Sequence, residues 1–246
     1  MTTTTGAFSA FALEPFPTIT LGDDLAGAIT DVLAAQDTKL QDGDVIVVAS
    51  KVVSTAEGRF VDFADVSPSP AALDLSARTG KPAEIAELVL RESTAHFVAG
   101  ENGPIIARHR LGYQLTSAGI DRAGTDGAWL LPKDPDSSAR ALRDAITAFS
   151  GATVAVVIAD SDGRADRRGA TVISIGAAGI SPLRITEHAE PNGRTKVQEE
   201  TLTDLVAAAA GLILGQRGRG APVAVLRGLS YQASDEGVAA MLHRVP

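Results

Sequence analysis

The architecture of this chain is set by residues 153–169, TVAVVIADSDGRADRRG, in which an apolar, β-branched run passes directly into acidic and then basic residues. Runs of Val, Ile and Ala bounded by Gly or Asp are typical of buried β-strands. Residues 153–159 are therefore predicted to form a strand. The same pattern predicts further strands at residues 44–49, 170–175 and 223–226.

Apolar residues spaced at i, i+3 and i+4 predict the helices of the chain. These helices fall at residues 25–35, 82–91, 137–149 and 199–215. Asp136 or Ser137 is a candidate N-cap for the third of them, directly after Pro135. Strands and helices are mixed but do not alternate regularly, so we predict an α+β fold. It would contain mixed β-sheets with packed helices and would not be Rossmann-like.

Two stretches show neither pattern. Residues 66–70, VSPSP, are typical of a linker, and residues 185–196, which are rich in charge and turn formers, predict a loop-rich region. The length of 246 residues suits one large domain or two modest ones.

The composition argues against several classes of protein. The net charge is −8, which disfavours binding to nucleic acid or to anionic membranes. The chain has no cysteine, so disulfides, thiolate metal sites and cysteine nucleophiles are ruled out. No apolar run is long enough to span a membrane, and the first residues lack the features of a signal peptide. We therefore expect a cytoplasmic protein with no membrane or nucleic-acid partner.

Asp160 is the first candidate for metal chemistry. It follows the predicted strand at residues 153–159, and a carboxylate held at a strand end suits a hard cation such as Mg²⁺ or Mn²⁺. Arg164, Arg167 and Arg168 follow, and their fixed positive charge suits phosphate oxygens. The alternative is an acidic turn followed by solvated arginines, which is a common arrangement.

Two further stretches contain candidate ligand-binding residues. Asp121 follows small and apolar residues where the chain could leave a strand, although an Asx turn or a helix cap is the usual role of such an aspartate. Gly215, Gly218 and Gly220 follow a predicted helix, where successive amides could form an anion-binding nest. An ordinary helix C-cap with a flexible loop explains the same glycines.

Ser50 and Lys51 follow the predicted strand at residues 44–49. A hydroxyl and a lysine at this place could bind phosphate or a nucleotide, and they could equally form a hairpin edge. Trp129, the only tryptophan, is predicted to be a packing anchor rather than a stacking platform.

Several longer stretches follow one another between residues 17 and 228: LGDDLAGAI, DGDVIVVASKVVSTAEGR, ARTGKPAEIAELVLRES, SAGID, LLPKDPDSSARALR, IADSDGR, IGAAGISPL and PVAVLRG. Together they resemble the coenzyme F420-0:L-glutamate ligase family, the γ-glutamyl ligases of deazaflavin biosynthesis. The resemblance implies a two-lobed γ-glutamyl-ligase-like fold that covers residues 1–246 as a single domain. It also implies that the C-terminal nitroreductase-like domain of some members is not present.

The resemblance implies a GTP-dependent ligase that joins L-glutamate to the deazaflavin F420 precursor through an acyl phosphate. Two divalent cations, Mg²⁺ or Mn²⁺, would offset the charge on the transferring phosphoryl oxygens, with K⁺ as a further candidate cation. Asp121 and Asp160 are the implied catalytic residues. The implied metal ligands are Asp121, Asp160, Ser161 and Gln216.

The resemblance also implies a homodimer and a nucleotide site. The nucleotide-binding positions fall on Pro17, Ser50, Lys51, Thr55, Gly124, Gly215, Gln216, Gly218 and Gly220. Thr55 stands where the family usually has lysine, and Gly124 stands where it has asparagine. These departures leave two alternatives open. One is a diverged metal- and nucleotide-dependent ligase that acts on another acid, and the other is a non-catalytic ligand-binding homologue.

Overall fold

The structure is a computed structural model that describes residues 6–101, 103–215 and 221–243. Its strands are β1 (Ser9–Ala12), β2 (Val45–Ala49), β3 (Phe60–Asp62), β4 (Ser93–Val98), β5 (Ile105–His109), β6 (Gln114–Thr116), β7 (Asp121–Ala123), β8 (Gly127–Trp129), β9 (Ala155–Gly163), β10 (Ala170–Ala178), β11 (Leu183–Ala189), β12 (Thr195–Thr201) and β13 (Val223–Arg227). Its α-helices are α1 (Leu25–Ala35), α2 (Ser50–Ala56), α3 (Pro70–Thr79), α4 (Ala83–Glu92), α5 (Pro135–Ser150) and α6 (Leu202–Leu214).

A mixed sheet in the order β1-β13-β2-β9-β10 forms the centre of the molecule. β2 and β9 run parallel, with Val45 opposite Ala155 and Ala49 opposite Ala159, and the other neighbouring strands are antiparallel. The apolar residues of β2 and β9 are buried because α5 and α6 pack on the sheet. The predicted α+β class with mixed sheets is confirmed, and the arrangement is not Rossmann-like.

All four predicted strands are present, as β2, β9, β10 and β13. β9 is longer than predicted because residues 160–163 continue to pair with β10, where Asp160 lies opposite Ile173 and Gly163 opposite Ala170. The parallel pairing with β2 stops at Ala159. The prediction that Asp160 stands at the end of its strand was therefore wrong, and its backbone is held by the sheet.

The four predicted helices are also present, as α1, α4, α5 and α6. α5 begins at Pro135, and its N-cap is Asp134, whose Oδ1 accepts a hydrogen bond of 3.0 Å from the Ser137 amide. The prediction of Asp136 or Ser137 as the cap was wrong. The Asp136 carboxylate is instead buried against the central sheet.

The region predicted to be loop-rich contains a β-hairpin. β11 and β12 pair antiparallel, with Leu183 opposite Thr201 and Ala189 opposite Thr195. Most side chains on both faces of the hairpin are exposed, so no alternation of apolar residues marks its strands. β12 also includes residues 199–201, which were predicted to be helical, and α6 begins only at Leu202.

Two shorter segments also differ from the prediction. The VSPSP stretch is no linker, because Ser69 Oγ accepts a hydrogen bond of 3.2 Å from the Ala72 amide and Pro70 is the first residue of α3. Ser50 and Lys51 open the helix α2 and do not form a hairpin edge.

Buried apolar side chains form two clusters. The larger cluster joins the central sheet to α1, α5 and α6, and the smaller cluster joins α3 and α4 to β5, with Leu75, Val89 and Ile105 at its centre. The assignment of residues 1–246 to a single, two-lobed domain stays a prediction. Among the described residues, no helix is both long and apolar enough to cross a membrane.

Candidate active site

A cavity of about 640 Å³ opens where the two apolar clusters meet. Ala159 and Leu131 of the larger cluster line it together with Leu130 of the smaller cluster. Residues from several separate elements give the cavity its polar and charged lining, namely Ser50, Lys51, Lys81, Asp121, Asp160 and Ser161.

Ser50 and Asp160 meet because β2 and β9 are parallel neighbours. Ala49, the last residue of β2, lies opposite Ala159 of β9. The residues that follow them, Ser50 and Asp160, therefore lie side by side. There the Ser50 hydroxyl donates a hydrogen bond of 2.6 Å to Asp160 Oδ1. The two apolar runs that form the centre of the sheet thus also bring a hydroxyl and a carboxylate together.

Asp160 lies in an environment that disfavours its negative charge. The pKa of Asp160 is raised to about 7, mainly by burial and also by the nearby Asp121 and Asp162 carboxylates. The hydrogen bonds from the Ser50 hydroxyl and the Ser161 backbone amide act in the opposite direction. A bound cation would stabilise the charged form of this carboxylate.

Asp121 enters the cavity from β7. Its carboxylate lies 2.8 Å from the Lys51 ammonium, and its position on β7 is fixed by pairing with Trp129 on β8. Lys51 belongs to the first turn of α2, one residue after Ser50. From α2, β7 and β9 the site therefore receives two carboxylates, one lysine and three serine hydroxyls.

The turn that leads into Asp121 has an unusual backbone conformation. Ser117, Ala118 and Gly119 all have positive φ angles, of 51°, 55° and 69°. A left-handed conformation costs a non-glycine residue roughly 1 to 2 kcal/mol, so two such residues in a row need support from their surroundings. Ala118 is fully buried, and a side chain at Gly119 would lie within 2.8 Å of Leu131. Packing thus maintains the strained turn that places Asp121.

The side chains of this site suit a divalent cation that prefers oxygen ligands. Asp121, Asp160 and Ser161 offer carboxylate and hydroxyl oxygens, and Mg²⁺ commonly binds through one or two carboxylates together with water and substrate phosphates. Among the described residues, no group of three His, Cys, Asp or Glu side chains could hold a metal by itself. The predicted ligand Gln216 lies outside the described residues. The fit therefore rests on two carboxylates whose mutual repulsion a cation would relieve.

The structure brings only part of the predicted nucleotide site to this cavity. Gly215, at the end of α6, lines it together with Ser50 and Lys51. Pro17 lies elsewhere, in a separate surface cleft beside α1. The predicted residues Gln216, Gly218 and Gly220 lie outside the described residues.

Thr55 and Gly124, two of the positions that depart from the family pattern, do not line the cavity. The Thr55 hydroxyl donates a hydrogen bond of 2.8 Å to the Lys51 carbonyl, one turn earlier in α2. Gly124 lies in the turn between β7 and β8 with a φ of 60°, and its carbonyl accepts a hydrogen bond of 2.8 Å from Arg122 Nε. Arg167, one of the arginines proposed for phosphate, is exposed and lies 2.7 Å from Asp166.

Sequence reasoning missed Lys81 and gave Trp129 only one of its roles. Lys81 lies in the short connection between α3 and α4 and lines the cavity half-buried. The sequence feature that could have indicated it is a lysine in a tight Gly-Lys-Pro connection between two amphipathic helices. Trp129 packs on Phe60 with ring centroids 5.1 Å apart, as expected of a packing anchor, and it also lines the cavity.

Two acidic residues of the family-like motifs join separate elements of the fold. Glu57 accepts hydrogen bonds from the Lys133 amide and the Ser138 hydroxyl, which ties the end of α2 to the start of α5. Asp136 is buried and accepts three backbone N–H hydrogen bonds. Its Oδ1 accepts from Ala177 at 2.9 Å and from Val238 at 2.8 Å, and its Oδ2 accepts from Ala239 at 3.0 Å. These carboxylates therefore position elements and do not enter the cavity.

A charged cluster lies behind the cavity wall. Glu92, at the end of α4, lies 3.3 Å from Nε2 of the buried His109 and 3.1 Å from Arg110 Nε. The pKa of Glu92 is lowered to about 2, mainly by the His109 imidazole beside it and also by Arg110. Arg59 approaches the same carboxylate at 3.9 Å and donates a hydrogen bond of 2.9 Å to the carbonyl of Leu131. The cluster thus links α4 to a residue that lines the cavity.

Comparison with known proteins agrees with this geometry. Residues 15–228 match the family model of F420-0:Gamma-glutamyl ligase. A coenzyme F420:L-glutamate ligase of Methanothermobacter thermautotrophicus is 36% identical over 240 residues, which cover 95% of each chain. The protein of the same name from Methanosarcina acetivorans is 37% identical and covers 93% of this chain and 89% of its own. The one from Archaeoglobus fulgidus is also 37% identical, over 89% of this chain and 87% of its own. The chain belongs to the F420-0:gamma-glutamyl ligase family.

Proposed function

We propose that this protein is a GTP-dependent ligase that forms an amide bond between L-glutamate and a deazaflavin coenzyme F420 precursor. The observation that carries the proposal is that Asp121, Asp160 and Lys51 converge in one cavity of a chain from a ligase family. The substrate names come from its relatives, which are called coenzyme F420:L-glutamate ligases.

The reaction we propose has two steps. A carboxylate oxygen of the deazaflavin precursor attacks the γ-phosphorus of GTP, the bond to the leaving GDP oxygen breaks, and an acyl phosphate forms. The glutamate amine then attacks the acyl carbon and loses a proton, the bond between the acyl carbon and the phosphate oxygen breaks, and the amide and inorganic phosphate are released.

Charge is the main difficulty of the first step, because negative oxygens of the acid and of the nucleotide must approach one another. The Lys51 ammonium uses one N–H toward Asp121 and has two more donors for phosphate oxygens. Asp121, Asp160 and Ser161 would hold a divalent cation, Mg²⁺ or Mn²⁺, which supplies positive charge beside the transferring group. Ser50 fixes the Asp160 carboxylate through its hydrogen bond of 2.6 Å.

The departures at Thr55 and Gly124 do not argue for another substrate. Thr55 and Gly124 lie outside the lining of the cavity, so neither change alters a group that surrounds a ligand there. A ligase acting on another acid and a binding protein without turnover are the alternatives that the experiment below separates.

We also propose that the protein acts as a cytoplasmic homodimer. Ile185 and Val197 are 58% and 55% exposed, and the strand register places both on one face of the β11–β12 hairpin. A second copy of the chain would cover these two apolar side chains. Light scattering at micromolar concentration should give twice the mass of one chain, and the mass of a single chain would contradict the dimer.

A single assay tests the ligase. Purified protein is incubated with GTP, Mn²⁺, L-glutamate and the deazaflavin precursor, and phosphate release and product mass are measured. We expect glutamate-dependent release of phosphate and a product heavier by one glutamate residue.

Asp160→Asn should lower kcat roughly 100-fold or more, because several kcal/mol of charge stabilisation are lost. Asp126→Asn, in the exposed β7–β8 turn, is the matched control and should retain wild-type rates. Turnover only with another acid would show that the deazaflavin precursor is not the substrate. A lack of turnover with every acid tested would refute the proposal that the protein is an enzyme.

A further inference from the structure

We propose that Lys81 binds a substrate oxyanion, a carboxylate or a phosphate, in the cavity that contains Asp121 and Asp160. This assignment rests on the proposed ligase function and names a residue that fixes the position of one of its three anionic substrates. Lys81 would be a second cationic contact beside Lys51, supplied by the other apolar cluster.

The backbone of Lys81 is fixed on both sides. Gly80 ends α3 in a left-handed conformation, with a φ of 66°, and Pro82 caps the start of α4. Between them, the Lys81 carbonyl accepts a hydrogen bond of 2.6 Å from the Ser76 hydroxyl. Because α3 and α4 pack on each other through the smaller apolar cluster, the side chain starts from a rigid position. Such preorganisation reduces the entropy that a lysine loses when it binds a ligand.

The charges in the cavity leave Lys81 available for a ligand. Lys51 already lies 2.8 Å from the Asp121 carboxylate. In the part of the chain that the structure describes, no carboxylate lies within 4.0 Å of the Lys81 ammonium. A lysine that only improves solubility needs no contact with a cavity, whereas Lys81 is half-buried and lines this one. Its positive charge and three N–H donors bind an oxyanion more strongly than a neutral acceptor.

Three anions meet in the proposed reaction: the carboxylate of the deazaflavin precursor, the carboxylates of L-glutamate and the phosphates of GTP. All three offer the same chemistry to an ammonium group, so the kinetics must distinguish them. Steady-state rates are therefore measured with each substrate varied in turn, for wild type, Lys81→Met, Lys81→Arg and Arg78→Met. Arg78 lies on α3, three residues earlier, and its exposed side chain pairs with Asp74, so Arg78→Met removes a nearby charge without touching the cavity.

We expect Lys81→Met to raise the KM for one substrate roughly 10- to 100-fold, as the loss of a charge-assisted hydrogen bond predicts. kcat and the other two KM values should change less than about 3-fold, because the contact is made equally before and during the reaction. Lys81→Arg should recover most of the affinity, and Arg78→Met should behave as wild type. Unchanged KM values in Lys81→Met would overturn the proposal. A parallel rise in all three KM values, with no recovery in Lys81→Arg, would also overturn it, since it would indicate a structural role.

A second measurement keeps this test independent of the ligase activity. Wild-type protein is acetylated with limiting reagent, alone and with the deazaflavin precursor, L-glutamate, GTP or inorganic pyrophosphate. The modification of each lysine is measured by peptide mass spectrometry. At least one anion should protect Lys81, while the exposed Lys39 serves as the unprotected reference. If the wild type shows no ligase activity and Lys81 is nevertheless protected, only the proposed function fails. If no anion protects Lys81, the role of Lys81 fails, whatever the activity.

Discussion

The buried carboxylate of Asp136 gives the sharpest test of how this fold holds its site. Asp136→Ala removes the acceptor of three backbone N–H groups, those of Ala177, Val238 and Ala239. The side chain is only 7% exposed, so water replaces these bonds poorly. A hydrogen bond to a charged group contributes roughly 1.5 to 3 kcal/mol, and the three bonds share one carboxylate and are not additive, which gives a loss of about 4 to 6 kcal/mol.

Asp136→Asn separates hydrogen bonding from packing, because it keeps the volume of the side chain. Its amide oxygen can accept from Ala177 and Val238, while its NH₂ group faces the donor of Ala239. One bond is lost and two are weakened, so we expect a loss of about 2 to 3 kcal/mol. Asp144→Asn, at an exposed position of the same helix, is the control and should change stability by less than about 0.5 kcal/mol.

Urea unfolding followed by circular dichroism measures these differences as shifts of the midpoint at constant m value. The expected order of stability is wild type, then Asp136→Asn, then Asp136→Ala. An alanine variant within about 1 kcal/mol of wild type would show that the three contacts contribute little. An asparagine variant as unstable as the alanine variant would show that charge, and not the number of acceptors, determines the effect.

Two further predictions concern the loss of folding stability at acidic pH and the turn that positions Asp121. The pKa of Glu92 is about 2 in the folded protein and near 4.5 in an unfolded chain, so its contribution is fully present above about pH 5 and is lost as the pH falls toward 2. Glu92→Gln should remove on the order of 3 kcal/mol of the stability difference between pH 6 and pH 2.5, and an unchanged pH profile in urea unfolding would contradict this. Gly119→Ala should cost about 1 to 3 kcal/mol and lower kcat/KM, because the residue has a φ of 69° and its new methyl group would meet Leu131. Gly100→Ala, which also has a positive φ but open space around it, is the control; it should lose stability without losing activity, and equal kinetics in the two variants would refute the role of the turn.

The core of the fold was predictable because its signals are local. The Val- and Ile-rich runs of β2 and β9 have few alternatives to a buried strand, and the amphipathic spacing of α1, α4 and α5 is clear in sequence. The β11–β12 hairpin gave no such signal, because its polar side chains are exposed on both faces and nothing distinguishes them from a loop. The extension of β9 past Asp160 was also hidden, since it depends on pairing with β10 and not on the residues themselves.

The site was predictable only in its parts. Asp160 and Asp121 are separated by 39 positions and looked like turn residues until the sheet and the left-handed turn brought them to one cavity. The bond between Ser50 and Asp160 follows from the parallel register of two strands 110 residues apart, which no local pattern encodes. Lys81 was missed for the same reason, because a lysine between two helices has no special chemistry until tertiary packing places it against a cavity.

Two acidic residues of the family-like motifs stabilise the fold and do not line the cavity. Glu57 and Asp136, from the EGR and DPDSSA stretches, accept hydrogen bonds that join α2, α5, β10 and residues 238–239. A change in either residue should damage stability before it changes specificity. Choice of substrate must instead depend on the few side chains that line the cavity, Lys51, Asp121 and Lys81 among them. Homologues that keep Glu57 and Asp136 but differ at these lining positions should therefore keep the fold and act on different acids.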